Sequence, residues 1–105
     1  MTTLHLAERA AAGRLLGSRY GALPIRDEIV ALLEQHDKVG LDFAGTNPTQ
    51  SFVDEIVGVL VVERGPSVLQ RLVFLNCNED VKAILHFVVG DRLSEHSAES
   101  AGVLH

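Results

Sequence analysis

Apolar residues recur at helical spacing in the first third of the chain and predict a helix that ends near His36. The recurring positions are Ile25, Ile29, Leu32 and Leu33. Pro24 precedes them, at a place where the first turn of a helix tolerates proline, and Asp27 and Glu28 follow near the predicted start. The segment GSRYG, residues 17 to 21, is bracketed by glycines and predicts a turn before this helix.

Two shorter apolar runs predict strands. KVGLDF, residues 38 to 43, is ended by Ala44 and Gly45, and RLVFLNC, residues 71 to 77, is a continuous apolar run. Continuous runs of this kind are typical of strands that are buried on both faces of a parallel sheet. Cys77 is the only cysteine, so we expect a small buried residue at a strand end and no internal disulfide or zinc site.

The segment between these runs, residues 52 to 63, is compatible with a helix or with a third strand because VLVV alone favours a strand. Ser51 followed by Asp54 and Glu55 resembles the start of a helix, and Phe52 begins a helical apolar spacing, so we predict a helix. Strand, helix and strand would then form one right-handed crossover unit, with loop 44 to 50 at the carboxyl end of the first strand. Open α/β sheets tend to bind ligands and partners at that end.

The two chain ends are less regular. TLHL, residues 3 to 6, alternates like a strand, but AERAAAGRLL after it is rich in helix formers. The first residues are therefore compatible with a short strand or with the start of a helix, and we favour a helix through about Leu16. EDVKAILHFVVGDRL, residues 79 to 93, predicts the last helix, with Val81, Ile84, Leu85 and Val88 as its core stripe. The expected fold is one α/β domain over residues 1 to 93, with a short, partly parallel sheet and a β-α-β-α core, followed by a flexible polar tail over 94 to 105.

Composition narrows the class of protein. The chain has 105 residues, 47% of them hydrophobic and 22% charged, as in an ordinary compact, soluble domain. Its 14 acidic residues outweigh 9 scattered basic ones for a net charge of -5, which disfavours nucleic acid and anionic membranes as partners. The longest apolar run, 56 to 62, is too short to cross a bilayer, and the first 20 residues do not resemble a secretory signal. We therefore expect a cytoplasmic protein.

Ser51 is the main candidate for chemistry, and two interpretations of it stay open. Asn47, Thr49 and Ser51 all precede the predicted helix, where a side-chain oxygen commonly caps a backbone N–H. The alternative is that Ser51 presents its hydroxyl for phosphorylation at the helix start, where Asp54 and Glu55 would oppose the added charge and turn the site into a repulsive switch.

Enzymatic alternatives have little support in the sequence. Asp42, Asp54 and Glu55 would have to converge to make a metal or acid–base site, yet no histidine stands at a ligand spacing beside them. The five histidines are scattered, and no glycine-rich phosphate motif is present. The sequence predicts no catalysis, no metal and no cofactor.

Two surfaces suggest binding instead. Apolar residues surround the predicted helix over 56 to 62, which indicates either deep burial or a contact with a second copy or partner. Arg14, Arg19 and Arg26 bracket the predicted turn and could dock a carboxylate or phosphate.

The segment VGLDFAGTNPTQSFVDEIVG, with GSRYGALPIRDEIVALL before it and RLVFLNCNEDVKAIL after it, resembles the STAS-like family of bacterial domains of unknown function. That family is distantly related to the anti-sigma-factor antagonists, and the resemblance covers residues 12 to 93. In the antagonists, an Asp-Ser-Ser/Thr-Gly segment at a helix start is phosphorylated by a histidine-kinase-like ATPase. The corresponding residues here are Gln50, Ser51, Phe52 and Val53, so only Ser51 keeps a hydroxyl.

The resemblance implies a STAS-like α/β fold and a non-catalytic regulatory module that binds a histidine-kinase-like ATPase or a related regulator through loop 44 to 50 and the next helix start. Ser51 and Thr49 would be the modification or contact residues, joined by Asp42, Asp54 and Glu55. The alternative is a homodimeric interaction module that is not phosphorylated.

Overall fold

The fold is a small parallel sheet packed by helices. A computed structural model describes the backbone of residues 1–10 and 19–103 and the side chains of residues 1–9 and 21–95. The elements in chain order are β1 (Thr2–His5), α1 (Leu6–Ala10), α2 (Arg19–Gln35), β2 (Val39–Asp42), α3 (Gln50–Val53), a π-helical turn (Asp54–Gly58), α4 (Val59–Arg64), a 3-10 helix (Pro66–Arg71), β3 (Leu72–Leu75) and α5 (Glu79–Val103).

The three described strands run parallel in the order β1-β2-β3. Leu4 lies beside Leu41, and Leu41 lies beside Phe74, so these three residues share one face of the sheet. The predicted strand, helix and strand unit is confirmed. The sheet was expected to be partly parallel, and both of its described strand pairings are parallel. Of the two interpretations of the first residues, the strand is correct through His5, because this segment pairs with the edge of β2 before α1 begins. The favoured helix is found over Leu6–Ala10, and its predicted continuation to Leu16 lies outside the described residues.

The central helix, which we define as α3, the π-helical turn and α4 together, fills the middle of the core. Phe52, Ile56 and Leu60 are fully buried and join the same apolar cluster as the strand residues Val39 and Leu41. Helices α2 and α5 both pack against its π-helical turn. The apolar run 56 to 62 is therefore explained by deep burial, and it does not form an exposed face for a second copy.

The π-helical turn lies where the central helix meets α5. A side chain added at Gly58 would place its Cβ 2.2 Å from Oδ1 of Asp54 and 3.0 Å from both Arg92 and Val88 of α5. Contacts that short force neighbouring atoms to move, so the absence of a side chain at Gly58 sets the close approach of the two helices. Short π-helical turns inside helices are frequently found at functional sites.

Helix α2 differs from its prediction at the start. Arg19, Tyr20 and Gly21 are helical, so this part of the predicted turn 17 to 21 is wrong, and residues 17 and 18 lie outside the described part. Pro24 stands inside the helix rather than in its first turn and leaves one helical hydrogen bond unmade. At the other end, Arg71 donates to the carbonyl oxygens of Leu33, of His36 at 2.8 Å and of Asp37 at 3.0 Å. This tie fixes the end of α2 beside the start of β3.

Strand β3 and helix α5 lie where the sequence predicts them, but the burial of β3 and the end of α5 differ from the prediction. Strand β3 lies at an edge of the described sheet, and Val73, Phe74 and Leu75 are half-buried rather than buried on both faces. Helix α5 has the predicted stripe, with Val81, Leu85 and Val88 buried and Ile84 packed against the core. Its backbone continues to Val103, ten residues beyond the predicted end at residue 93. No helix in the described ranges combines the length and apolar character that crossing a membrane requires.

Candidate functional site

The loop that follows β2 is held by its own hydrogen bonds. Oδ1 of Asp42 accepts a bond of 2.9 Å from the backbone N–H of Ala44, and Gly45 then adopts a positive φ of 71°. Thr46 is buried and donates to the carbonyl oxygen of Phe43 through its hydroxyl at 2.7 Å and its backbone N–H at 3.1 Å. Pro48 is buried as well. Segment 44 to 50 is therefore a fixed loop that presents only part of its residues to solvent.

Thr49 begins the central helix. Its backbone is extended, and its hydroxyl oxygen accepts a bond of 3.2 Å from the N–H of Phe52. Ser51 is the second residue of α3, is exposed, and makes no side-chain hydrogen bond to another described residue. The interpretation of Ser51 as the helix cap is therefore wrong, because the helix already begins at Gln50 with Thr49 as its cap. The N–H groups of Val53 and Asp54, which Ser51 would have capped, bond to backbone carbonyl oxygens instead.

Substitution of Thr49 and of Ser51 tests which of the two residues caps the helix. We expect Thr49→Ala to lower the free energy of unfolding by about 1 kcal/mol, since the N–H of Phe52 loses its cap inside a partly buried turn. Ser51→Ala is the matched control and should change that free energy by less than about 0.5 kcal/mol. Urea unfolding followed by far-UV circular dichroism measures both. Equal losses in the two variants would contradict the assignment of Thr49 as the cap.

A small polar pocket adjoins Ser51. It has a volume of about 170 Å³ and is lined by Gln50, Ser51, Asp54, Phe87, Val88 and Asp91. Half of the lining comes from α5, and no sequence pattern predicts that α5 lies beside Ser51. Phe87 is 58% exposed at its rim, and Asp91 is exposed without an ion pair to any described residue. The surface around Ser51 therefore joins a polar pocket, a carboxylate and an exposed aromatic ring.

Asp54 connects this pocket to α5 through an ion pair. Arg92 donates to both carboxylate oxygens of Asp54, at 2.8 and 2.6 Å, and also to Glu95 at 3.2 Å. The bonds to Asp54 raise the pKa of the Arg92 guanidinium above its ordinary value. The charge of Asp54 is thus compensated, and Asp91 is the carboxylate of the pocket that would oppose a phosphoryl group on Ser51.

Glu55 faces the interior. Only 5% of its surface is exposed, and its carboxylate forms an ion pair with Arg26 of α2. Glu55 therefore does not belong to the exposed contact surface that the sequence suggested. The same pair corrects the proposed anion site at the start of α2, because Arg26 already holds a carboxylate, while Arg14 and the side chain of Arg19 lie outside the described part of the chain.

Asp42 belongs to a third group, at the carboxyl ends of the strands. Its carboxylate accepts bonds from Asn76 at 3.0 Å and from the backbone N–H of Ala44, and it pairs with Nδ1 of His5 at 2.9 Å. These bonds, that of Asn76 foremost, lower the pKa of Asp42. Asp42, Asp54 and Glu55 thus each hold a different basic side chain. Over the described residues, no three histidine, cysteine or acidic side chains converge as metal ligands.

Comparison with known families identifies the class of domain. The family model of the STAS-like domain of unknown function (DUF4325) matches residues 22–82, which is more than half of the chain. The chain belongs to this family, as the resemblance in the sequence predicted, and its three-stranded α/β fold is consistent with a STAS-like domain. No curated protein and no solved structure matches the chain.

Proposed function

We propose that this STAS-like domain is a non-catalytic regulatory module that binds a protein partner through loop 44 to 50 and the start of the central helix. The observation that carries the proposal is the exposed Ser51, whose hydroxyl is not used to cap the helix. It stands beside the loop at the carboxyl end of β2, the region through which open α/β sheets commonly bind. The family resemblance points to a histidine-kinase-like ATPase, or a regulator related to one, as the partner.

Phosphorylation of Ser51 would switch this surface off. A phosphoryl group carries a charge between about -1.5 and -2 at neutral pH. It would enter a pocket of about 170 Å³ that already contains the exposed carboxylate of Asp91. The modified surface would be more negative and would lose its concave shape, and both changes oppose a partner that fits the unmodified form.

The proposal is tested by placing a negative charge at position 51 and measuring the effect on partner binding. Tagged wild-type protein and a Ser51→Asp variant would be purified from the native host, and the bound proteins would be identified by mass spectrometry. We expect an ATPase of the histidine-kinase type to accompany the wild type and its recovery to fall about tenfold or more with Ser51→Asp, since like charges at an interface cost several kcal/mol.

Ser67→Asp is the matched control because Ser67 is exposed on the 3-10 helix, which leads into the amino end of β3, whereas loop 44 to 50 follows the carboxyl end of the parallel strand β2. It introduces the same charge and should retain the partner, as should Ser51→Ala. Equal recovery with Ser51→Asp and Ser67→Asp, or recovery of no ATPase by any form, would refute the partner-binding role of this helix start.

A further inference from the structure

A second concave surface lies on the chain, apart from the Ser51 pocket. It is an open groove of about 570 Å³ between β3 and the face of α5 that continues past it. The lining residues are Phe74, Cys77, Lys82, Leu85, His86, Val89, Gly90 and Leu93. The volume falls within the range of small-molecule sites, roughly 300 to 1,000 Å³. None of its residues takes part in the contacts described around Ser51.

The groove combines an apolar wall with basic side chains. Phe74, Val89 and Leu93 are half-buried and pack against the core, so they form a fixed apolar surface. Lys82 and His86 stand one helical turn apart on α5, and both are exposed. An apolar wall beside a cationic end is the complement of a molecule with a hydrocarbon chain and an anionic head.

The charged side chains of the groove have the opposite sign to the net charge of the protein. The chain has a net charge of -5, yet the described residues that line this groove include no carboxylate. Glu79 approaches Lys82 at 3.4 Å, but its side chain is 92% exposed, so the pair is a weak surface contact. Burial raises the pKa of Cys77, so its thiol stays neutral and adds no negative charge.

We propose that this groove binds a fatty-acid carboxylate, with the chain along Phe74, Val89 and Leu93 and the carboxylate at Lys82. Gly90 lies in the groove, and a Cβ added there would meet no atom of the described part of the chain within 4 Å. The space above Gly90 is therefore available to the hydrocarbon chain. The site is independent of Ser51 and does not rest on the proposed function.

The test titrates isotope-labelled protein with dodecanoate below its micelle concentration and follows the backbone amide resonances. We expect the amides of residues 82 to 93 to shift. Dodecanol should bind about tenfold more weakly, since an alcohol cannot form the charge-assisted hydrogen bond that a carboxylate makes with Lys82. Lys82→Gln should reduce dodecanoate binding by the same factor and leave dodecanol unchanged. Lys38→Gln is the matched control because it removes an exposed lysine outside the groove and should change nothing.

Gly90→Leu blocks the groove without endangering the fold, because the side chain enters open space and leucine favours a helix more than glycine does. It should abolish binding of both ligands while the unfolding transition stays intact. Three results would each overturn the proposal: no amide shifts with dodecanoate, equal binding of dodecyltrimethylammonium, or undiminished binding by Gly90→Leu.

Discussion

Arg26→Met is expected to lower the free energy of unfolding by about 3 kcal/mol, since a buried carboxylate that loses its ion-pair partner is less well compensated while it stays buried. Glu55 is the charge that would be left, with 5% of its surface exposed. The side chain of Arg26 is 24% exposed, so water can partly solvate the site after the substitution. The expected loss of stability is therefore at the lower end of the range for buried ion pairs. Denaturant unfolding measures the change directly.

The double variant Arg26→Met/Glu55→Gln distinguishes loss of charge balance from loss of packing. Glutamine is neutral and nearly the same shape, so the double variant should recover more than half of the loss. Arg9→Met is the matched control because the Arg9–Glu28 pair is about one third exposed on both sides, and its loss should cost about 1 kcal/mol or less. Equal losses in Arg26→Met and the double variant would show that the buried charge is not the cause.

Gly58→Ala should lower the free energy of unfolding by about 2 kcal/mol, although alanine is the better helix former by about 1 kcal/mol. The added Cβ would lie 2.2 Å from Oδ1 of Asp54 and 3.0 Å from two atoms of α5. A shift of the carboxylate would disturb its two bonds to Arg92, and Val88 lies in the packed core. Steric overlap therefore outweighs the gain in helix propensity.

A mutant cycle with Asp54→Ala tests this account of Gly58. In that background the nearest atom and the ion pair with Arg92 are already absent, so Gly58→Ala should cost about 1 kcal/mol less than it does in the wild type. The remaining cost would come from Val88 and the stem of Arg92. Additive losses would mean that the carboxylate of Asp54 is not what makes a side chain at Gly58 costly.

The sequence predicts the elements whose signal is local. Strands β2 and β3, the central helix and the apolar stripe of α5 were all visible as runs or spacings of apolar residues. Strand β1 could not be decided against a helix, because four residues give a weak alternation and strong helix formers follow them at once. The start of α2 was missed because the glycines at 17 and 21 favour a turn and proline is disfavoured inside a helix, while the packing of α2 on the π-helical turn stabilises the helix despite both.

The candidate site was predictable only in part. Ser51 and Thr49 were found because short polar residues before an apolar run indicate a helix start. The choice of Thr49 as cap depends on backbone angles that the sequence pattern does not contain. Asp54 and Glu55 look alike in sequence, yet one pairs with Arg92 on α5 and the other with Arg26 on α2. Pairings between residues so far apart in the chain follow from the packing of helices and have no local signal.

The parallel order of the strands has a consequence for how the domain forms. No two described strands are joined by a hairpin, so each pairing in the sheet must wait until a helical segment has been closed into a long loop. Closing such loops costs chain entropy before any strand contact repays it, which slows folding relative to a helical bundle of the same size. During synthesis β1 emerges before β2 and has no partner strand until β2 has left the ribosome. Until then its apolar Leu4 and its unpaired backbone are exposed, which makes β1 prone to aggregation.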